Sequence, residues 1–208
     1  MQTKWMHPLF LPAFLLLLAG TAAAQTSLGA SLYGAFGGAS SANGVEESPT
    51  NTAGGLFELR HISNPILGFE ATYSYNRADE TYTANTAVPA GSCTTAPCVS
   101  SVTIPAAAHE ITADWVPSLH VANLRPFGVL GAGVLLNMPS NGRNNSQSST
   151  QAVYVYGAGL DWGLLPHLGL RLQYRGNLYK APDVTTLYTS IDAFRHTAEP
   201  MIGIYLNL

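Results

Sequence analysis

GLFELRHISNPILGFEATYSY, residues 55–75, carries the reading that decides the fold. In its second half and just beyond, Leu67, Phe69, Ala71, Tyr73 and Tyr75 share one face. Glu70, Thr72, Ser74 and Asn76 share the other. A period of two is that of an extended strand, and the Asn64-Pro65 pair between the halves is a turn signal. The stretch therefore predicts two antiparallel strands joined tightly, each with an apolar and a polar face.

Outward from this hairpin the pattern repeats. Alternating runs cover residues 28–38, 53–62, 66–77, 104–116, 125–137, 152–163, 168–180 and 194–208. In 152–163, Tyr154, Tyr156, Ala158, Leu160 and Trp162 oppose Gln151, Gly157, Gly159 and Asp161. In 168–180, Leu170, Leu172 and Tyr174 oppose Arg171, Gln173, Arg175 and Asn177. The run 125–137 is less regular, because Phe127 and Val129 fall on the polar-face parity. Connections alternate too: 39–52, 78–103, 138–151 and 181–193 are long and polar, whereas 63–65, 117–124 and 164–167 are shorter and carry Pro. Short turns at one end and long loops at the other predict an all-β, eight-stranded, antiparallel up-and-down transmembrane barrel.

Composition points the same way. Asp, Glu, Lys and Arg make up 10% of the chain, against about 25% in ordinary soluble domains. Lys4, the apolar run 9–18 and Ala22-Ala23-Ala24 form a three-part export signal. Residues 1–24 are thus expected to be a signal peptide, and residues 25–208 an outer-membrane barrel domain. Without Lys4 there remain eight basic residues against twelve acidic ones, with Lys180 the sole lysine. No basic patch suggests nucleic acid. Cys93 and Cys98 are expected to form a disulfide at a loop tip in an oxidising compartment. Metal binding by the two thiols is the rival reading, and no His or acidic ligand lies near them in sequence.

Alternation also occurs in soluble barrels, where the apolar face points inward and can hold a ligand. The aromatic placement separates the alternatives. Tyr73, Tyr75, Tyr154 and Tyr156 fall near the loop-side strand ends, and Trp115 and Trp162 near the turn-side ends. All share the apolar parity, as two interfacial girdles would.

Three segments carry a resemblance to small outer-membrane barrels of the OmpA and OmpX type: the hairpin quoted above, RPFGVLGAGVLLN (125–137) and PMIGIYLNL (200–208). The resemblance spans residues 25–208 and implies a barrel domain alone, with no peptidoglycan-binding domain. It also implies that the final strand is read by the barrel-assembly machinery, with Gly203, Leu206 and Leu208 forming the assembly signal. Leu208 departs from the terminal aromatic residue common in that family.

The charged strand residues Glu58, Arg60, Glu70, Glu110, Asp114, Asp161, Arg171, Arg175, Arg195 and Glu199 share the polar parity. Placed in a lumen, they would have to form a paired network, since an unpaired buried charge is strongly destabilising. Eight strands leave an interior that side chains fill. The expected function is therefore non-enzymatic: a largely plugged barrel serving envelope integrity or surface interaction, without cofactor or metal. A narrow gated channel for small solutes is the alternative, and a lipid A-modifying enzyme the third. His61-Ile62-Ser63-Asn64 resembles the His-x-Ser-Asn signature of outer-membrane deacylases, but it falls at a turn, and Asn64-Pro65 is explained as one. The expected location is the cell outer membrane, with loops extracellular and both termini periplasmic. Expected partners are outer-membrane lipids including lipopolysaccharide, the assembly machinery, and an extracellular partner reached through residues 78–103 and 138–151.

Overall fold

The structure is a computed structural model that describes residues 25–85, 99–140, 142 and 144–208. The expected signal peptide and the Cys93–Cys98 pair lie outside the described residues. In chain order the strands are β1 (Gln25–Gly37), β2 (Ser40–Ala42), β3 (Val45–Pro49), β4 (Thr52–Ile62), β5 (Gly68–Asn85), β6 (Val99–Trp115), β7 (Leu124–Pro139), β8 (Ser149–Gly163), β9 (Leu168–Lys180) and β10 (Phe194–Asn207).

Eight of these strands form a closed antiparallel ring, β1-β4-β5-β6-β7-β8-β9-β10, in which β10 pairs back onto β1. Closure leaves no open edge in the ring, as a spanning structure in lipid requires. At the seam Ile204 faces Ala30 and Ile202 faces Leu32, and the Leu208 amide donates to the Thr26 carbonyl at 2.9 Å. The turn after β4 is built by Asn64, whose Oδ1 accepts from the amides of Ile66 and Leu67 at 2.9 and 2.8 Å. Among the described residues, no helix is long and apolar enough to cross a membrane.

The sides of the wall are inverted relative to a soluble protein. Leu32, Phe57, Leu130 and Ile202 stand outside at 72%, 63%, 59% and 54% exposure. The four largest fully buried side chains are arginines, Arg60, Arg171, Arg175 and Arg195. The apolar parity therefore lies outside and the polar parity inside, which rules out the soluble ligand-holding alternative. Phe127 and Val129 do point into the lumen.

Two expected loops are partly strand. The stretch 39–52 contains the β2–β3 hairpin, whose Asn43 and Gly44 have φ of 54° and 75°. Asn-Gly with both φ positive suits the turn type whose twist matches a hairpin. The stretch 78–103 is likewise shortened, because β5 continues to Asn85 and β6 begins at Val99. Here Thr81, Tyr82, Thr83 and Ala84 alternate, with Tyr82 and Ala84 buried. The polar composition hides a strand that stands above the ring and has its own small core. There β3 pairs with β5, Val45 facing Ala84 and Pro49 facing Glu80.

Candidate functional site: the charged lumen and its cap

Strand register places the charges opposite one another. Arg60 on β4 faces Glu70 on β5, and Asp161 on β8 faces Arg171 on β9. Arg60 reaches Glu70 at 2.6 Å and Asp161 at 3.3 Å. Arg171 grips Asp161 with two bonds of 2.6 and 2.7 Å and also pairs with Glu58. The planar fork of arginine suits such bidentate pairing. Beneath them lies the Phe127 ring, 4.1 Å from the Arg60 guanidinium carbon and 5.2 Å from that of Arg171. The ring fits because its cross-strand partner is Gly159, where a Cβ would lie 2.3 Å from it. An apolar residue on the polar parity thus serves as a cation–π floor.

One layer toward the loops, Arg175 is the hub. It bonds Glu110 at 3.0 Å, Asp114 at 3.3 Å and the Thr112 hydroxyl at 2.8 Å. Asn177 donates to the other Glu110 oxygen at 2.9 Å. Among the described residues, Arg175 is the only cation bonded to Glu110 or Asp114. Glu199 is buried beside them, and its Oε2 has no hydrogen-bond partner. Above lies a cavity of about 40 Å³ lined by Glu80, Glu110, Asn137, Tyr179 and Glu199, room for only a few waters.

A third layer closes the loop side. Arg195 on β10 reaches Glu80 on β5 at 3.0 Å and Glu47 on β3 at 3.3 Å. The Tyr82 hydroxyl donates to Glu47 at 3.0 Å, contacts the Pro182 carbonyl and accepts from the Val184 amide at 3.1 Å. Over it sits an apolar cluster of Val45, Tyr82, Ala84, Ile104, Ala181, Val184 and Ile191. The β9–β10 loop, residues 181–193, supplies three of these and is pinned at its neck by the Ala181 amide on the Ala193 carbonyl, 2.9 Å.

All ten charges read from the sequence as one network are buried. The structure divides them into Glu58, Arg60, Glu70, Asp161 and Arg171 near the turns, Glu110, Asp114, Arg175 and Glu199 at mid-height, and Arg195 in the cap. Glu47 and Glu80 escaped the sequence reading because they fall in stretches taken as loops. Arg125 escaped as well; half-buried, it bonds Gln25 and lies 3.2 Å from His120. The Asn43-Gly44 turn was the signal that could have placed Glu47 on a strand.

Outside the wall, Tyr73, Tyr75, Trp115, Tyr154, Tyr156 and Trp162 are all exposed. Trp115 Nε1 donates to the Ile66 carbonyl at 2.6 Å. Leu206 and Leu208 are exposed at the end of the chain, and a Cβ on Gly203 would lie 2.1 Å from Ser31 Oγ across the seam. His61 points outward, its Nδ1 2.9 Å from Thr26 Oγ1, and Asn64 is engaged by its own turn. The structure gives no bond between His61 and Ser63. Among the described residues, no group of three or more His, Cys, Asp or Glu is placed to hold a metal ion.

Residues 10–193 match the family model described as outer membrane protein beta-barrel domain. Two solved structures share the fold. Neisserial surface protein A is 12% identical with a TM-score of 0.54, over 87% of this chain and 96% of that one. The outer membrane protein OprG of Pseudomonas aeruginosa is 10% identical with a TM-score of 0.56, over 91% and 98%. No curated protein matches the sequence.

Proposed function

Since this chain belongs to the outer membrane protein beta-barrel domain family, we propose that it is a non-enzymatic, plugged barrel acting in envelope integrity or surface interaction. The observation that supports this most is the lumen itself. Three stacked layers of paired charge fill it, and an apolar cap covers the loop end. A path for solutes would need those pairs to part in a space that already holds little more than a cavity of about 40 Å³. On this reading the working surface is the outer one. The 39–52, 138–151 and 181–193 connections leave the ring at the end opposite Gln25 and Leu208, which fits loops outside the cell and both termini in the periplasm. Residues 1–24 would direct export, Cys93 and Cys98 would pin the loop they share, and Gly203, Leu206 and Leu208 would be read by the assembly machinery.

The test is a planar-bilayer conductance trace of the refolded protein. A flat trace is expected, and discrete openings would replace the plug with a narrow channel. Alanine at His61 or Ser63 is expected to leave lipid A unchanged in a producing strain. An altered lipid A profile would instead establish a lipid-modifying role.

A further inference from the structure

The eight basic residues after Gln25 are distributed unevenly. Arg60, Arg125, Arg171, Arg175 and Arg195 face the lumen, and Arg143 lies outside the described residues. Arg77 and Lys180 remain, both exposed on the outer wall near the loop side. They lie half the ring apart, on the β5–β6 and β9–β10 pairs, and the Arg77 guanidinium donates to the Ser140 hydroxyl at 3.0 Å.

Arg77 faces Ala107 across β5–β6, and two residues below Ala107 on the same face stands His109. The Tyr73 hydroxyl bonds His109 Nδ1 at 2.9 Å, and the Tyr75 ring lies 5.0 Å from the imidazole. Lys180 faces Phe194 across β9–β10, and two residues below Phe194 stands His196. The Tyr156 hydroxyl bonds His196 Nε2 at 2.8 Å, with the rings stacked at 5.9 Å. Tyr156 sits on β8 and must cross a whole strand to arrive. It does so over Gly176, where a Cβ would lie 2.5 Å from its ring. In each case the tyrosine takes one imidazole nitrogen, and the other has no partner among the described residues. Nearby acids are exposed: Asp192 pairs with Lys180, both side chains at least half in solvent or nearly so at 71% and 49%, and Asp79 follows Arg77 by two residues on β5.

We propose that Arg77 with His109, and Lys180 with His196, form two clamps for the phosphate groups of lipid headgroups at the loop-side membrane boundary. This rests on the reading of the chain as a membrane-spanning barrel. Cations with stems on an apolar wall project to the headgroup level, and tyrosines collect there as well. A phosphate offers acceptors to both the long cation and the free imidazole N–H, in charge-assisted hydrogen bonds. The tyrosine fixes which way each ring is turned, as an orienting partner does for a ligating histidine.

The experiment is native mass spectrometry of the full barrel in a maltoside detergent, titrated with diphosphorylated lipid A, the same glycolipid without phosphate, and inorganic phosphate. Two lipid A molecules per barrel are expected, with neither the dephosphorylated lipid nor inorganic phosphate retained. The R77Q/H109Q and K180Q/H196Q pairs should each leave one, with at least about tenfold weaker binding at the altered side, the loss of one or two charge-assisted bonds. The fourfold variant should hold none. Tyr156→Phe, which removes one hydroxyl only, should weaken one site several-fold and spare the other. Two lipids on the fourfold variant, equal retention of the dephosphorylated lipid, or occupation by inorganic phosphate alone would overturn the clamps. Each sample is also run with and without boiling. A wild-type protein with no heat-dependent mobility shift would sink the membrane-barrel reading itself, a failure separate from that of the clamps.

Discussion

The two ends of the lumen are closed by different chemistry. Toward the turns, Arg60 and Arg171 are held between Glu58, Glu70 and Asp161 over the Phe127 ring, and every one of these side chains comes from a strand of the ring. Toward the loops, a single arginine meets two glutamates under an apolar cluster, and Glu47, Val45, Val184 and Ile191 come from the β2–β3 hairpin and the 181–193 loop. The inner plug is fixed by register, so it cannot loosen without disturbing the barrel. The cap is added on top, so its hairpin and loop are expected to open first while the ring stays closed. Local stability in a folded protein varies in this way, with segments outside the main core opening first.

The largest effect should follow from breaking the charge network that ring strands alone hold, in the layer next to that plug. Arg175→Met keeps bulk but strands Glu110 and Asp114 as buried, uncompensated carboxylates, which should cost about 3–5 kcal/mol. It would be read as a lower urea midpoint for loss of the heat-resistant form. An unchanged midpoint would mean that the network is not what holds the wall. Next comes Ile191→Ala in the cap, with an expected loss of about 2–3 kcal/mol at a buried site. That loss should appear as faster proteolysis within 181–193 and leave the urea midpoint of the barrel in place. A matching fall in the midpoint would show the two regions to be one cooperative unit.

The smallest expected effect is the response of the cap to pH. Burial pushes the Glu47 carboxyl up to about 8 from an ordinary 4.5, against the pull of Arg195 and with the nearby charge of Glu80 adding to the rise. A carboxyl raised on folding favours the protonated folded form. The cap should thus be firmest below about 4.5 and loosen as pH climbs toward about 8. Hydrogen exchange at the Val184 amide, which donates to Tyr82, would report this. Glu47→Gln should flatten the profile, and a wild-type profile already flat would contradict the assignment.

Much of the ring was legible in the sequence because lipid and a narrow lumen impose a strict period of two. Tyr73 beside Glu70, or Leu172 between Arg171 and Gln173, could stand on only one face each. The cap was not legible, because its strands meet water on one side and a seven-residue cluster on the other. Under those conditions Thr81 and Thr83 serve as well as apolar residues, and the stretch looks like a polar loop. Phe127 was visible but unexplained, since cation–π packing on two arginines from other strands leaves no mark in local periodicity. Which carboxylate meets which arginine was also beyond sequence reading: Arg175 lies on β9 and Glu110 on β6, and only closure of the ring brings them across the lumen.

Arg195 sits on β10, the strand that closes the ring against β1. Among the described residues, Arg195 is the cation that binds Glu47 and Glu80 together. The surface of the loop end therefore cannot take its final form until β10 has zipped onto β1. The cap over the loop end thus depends on closure of the ring, and a ring still open at that seam would leave Glu47 and Glu80 without their arginine.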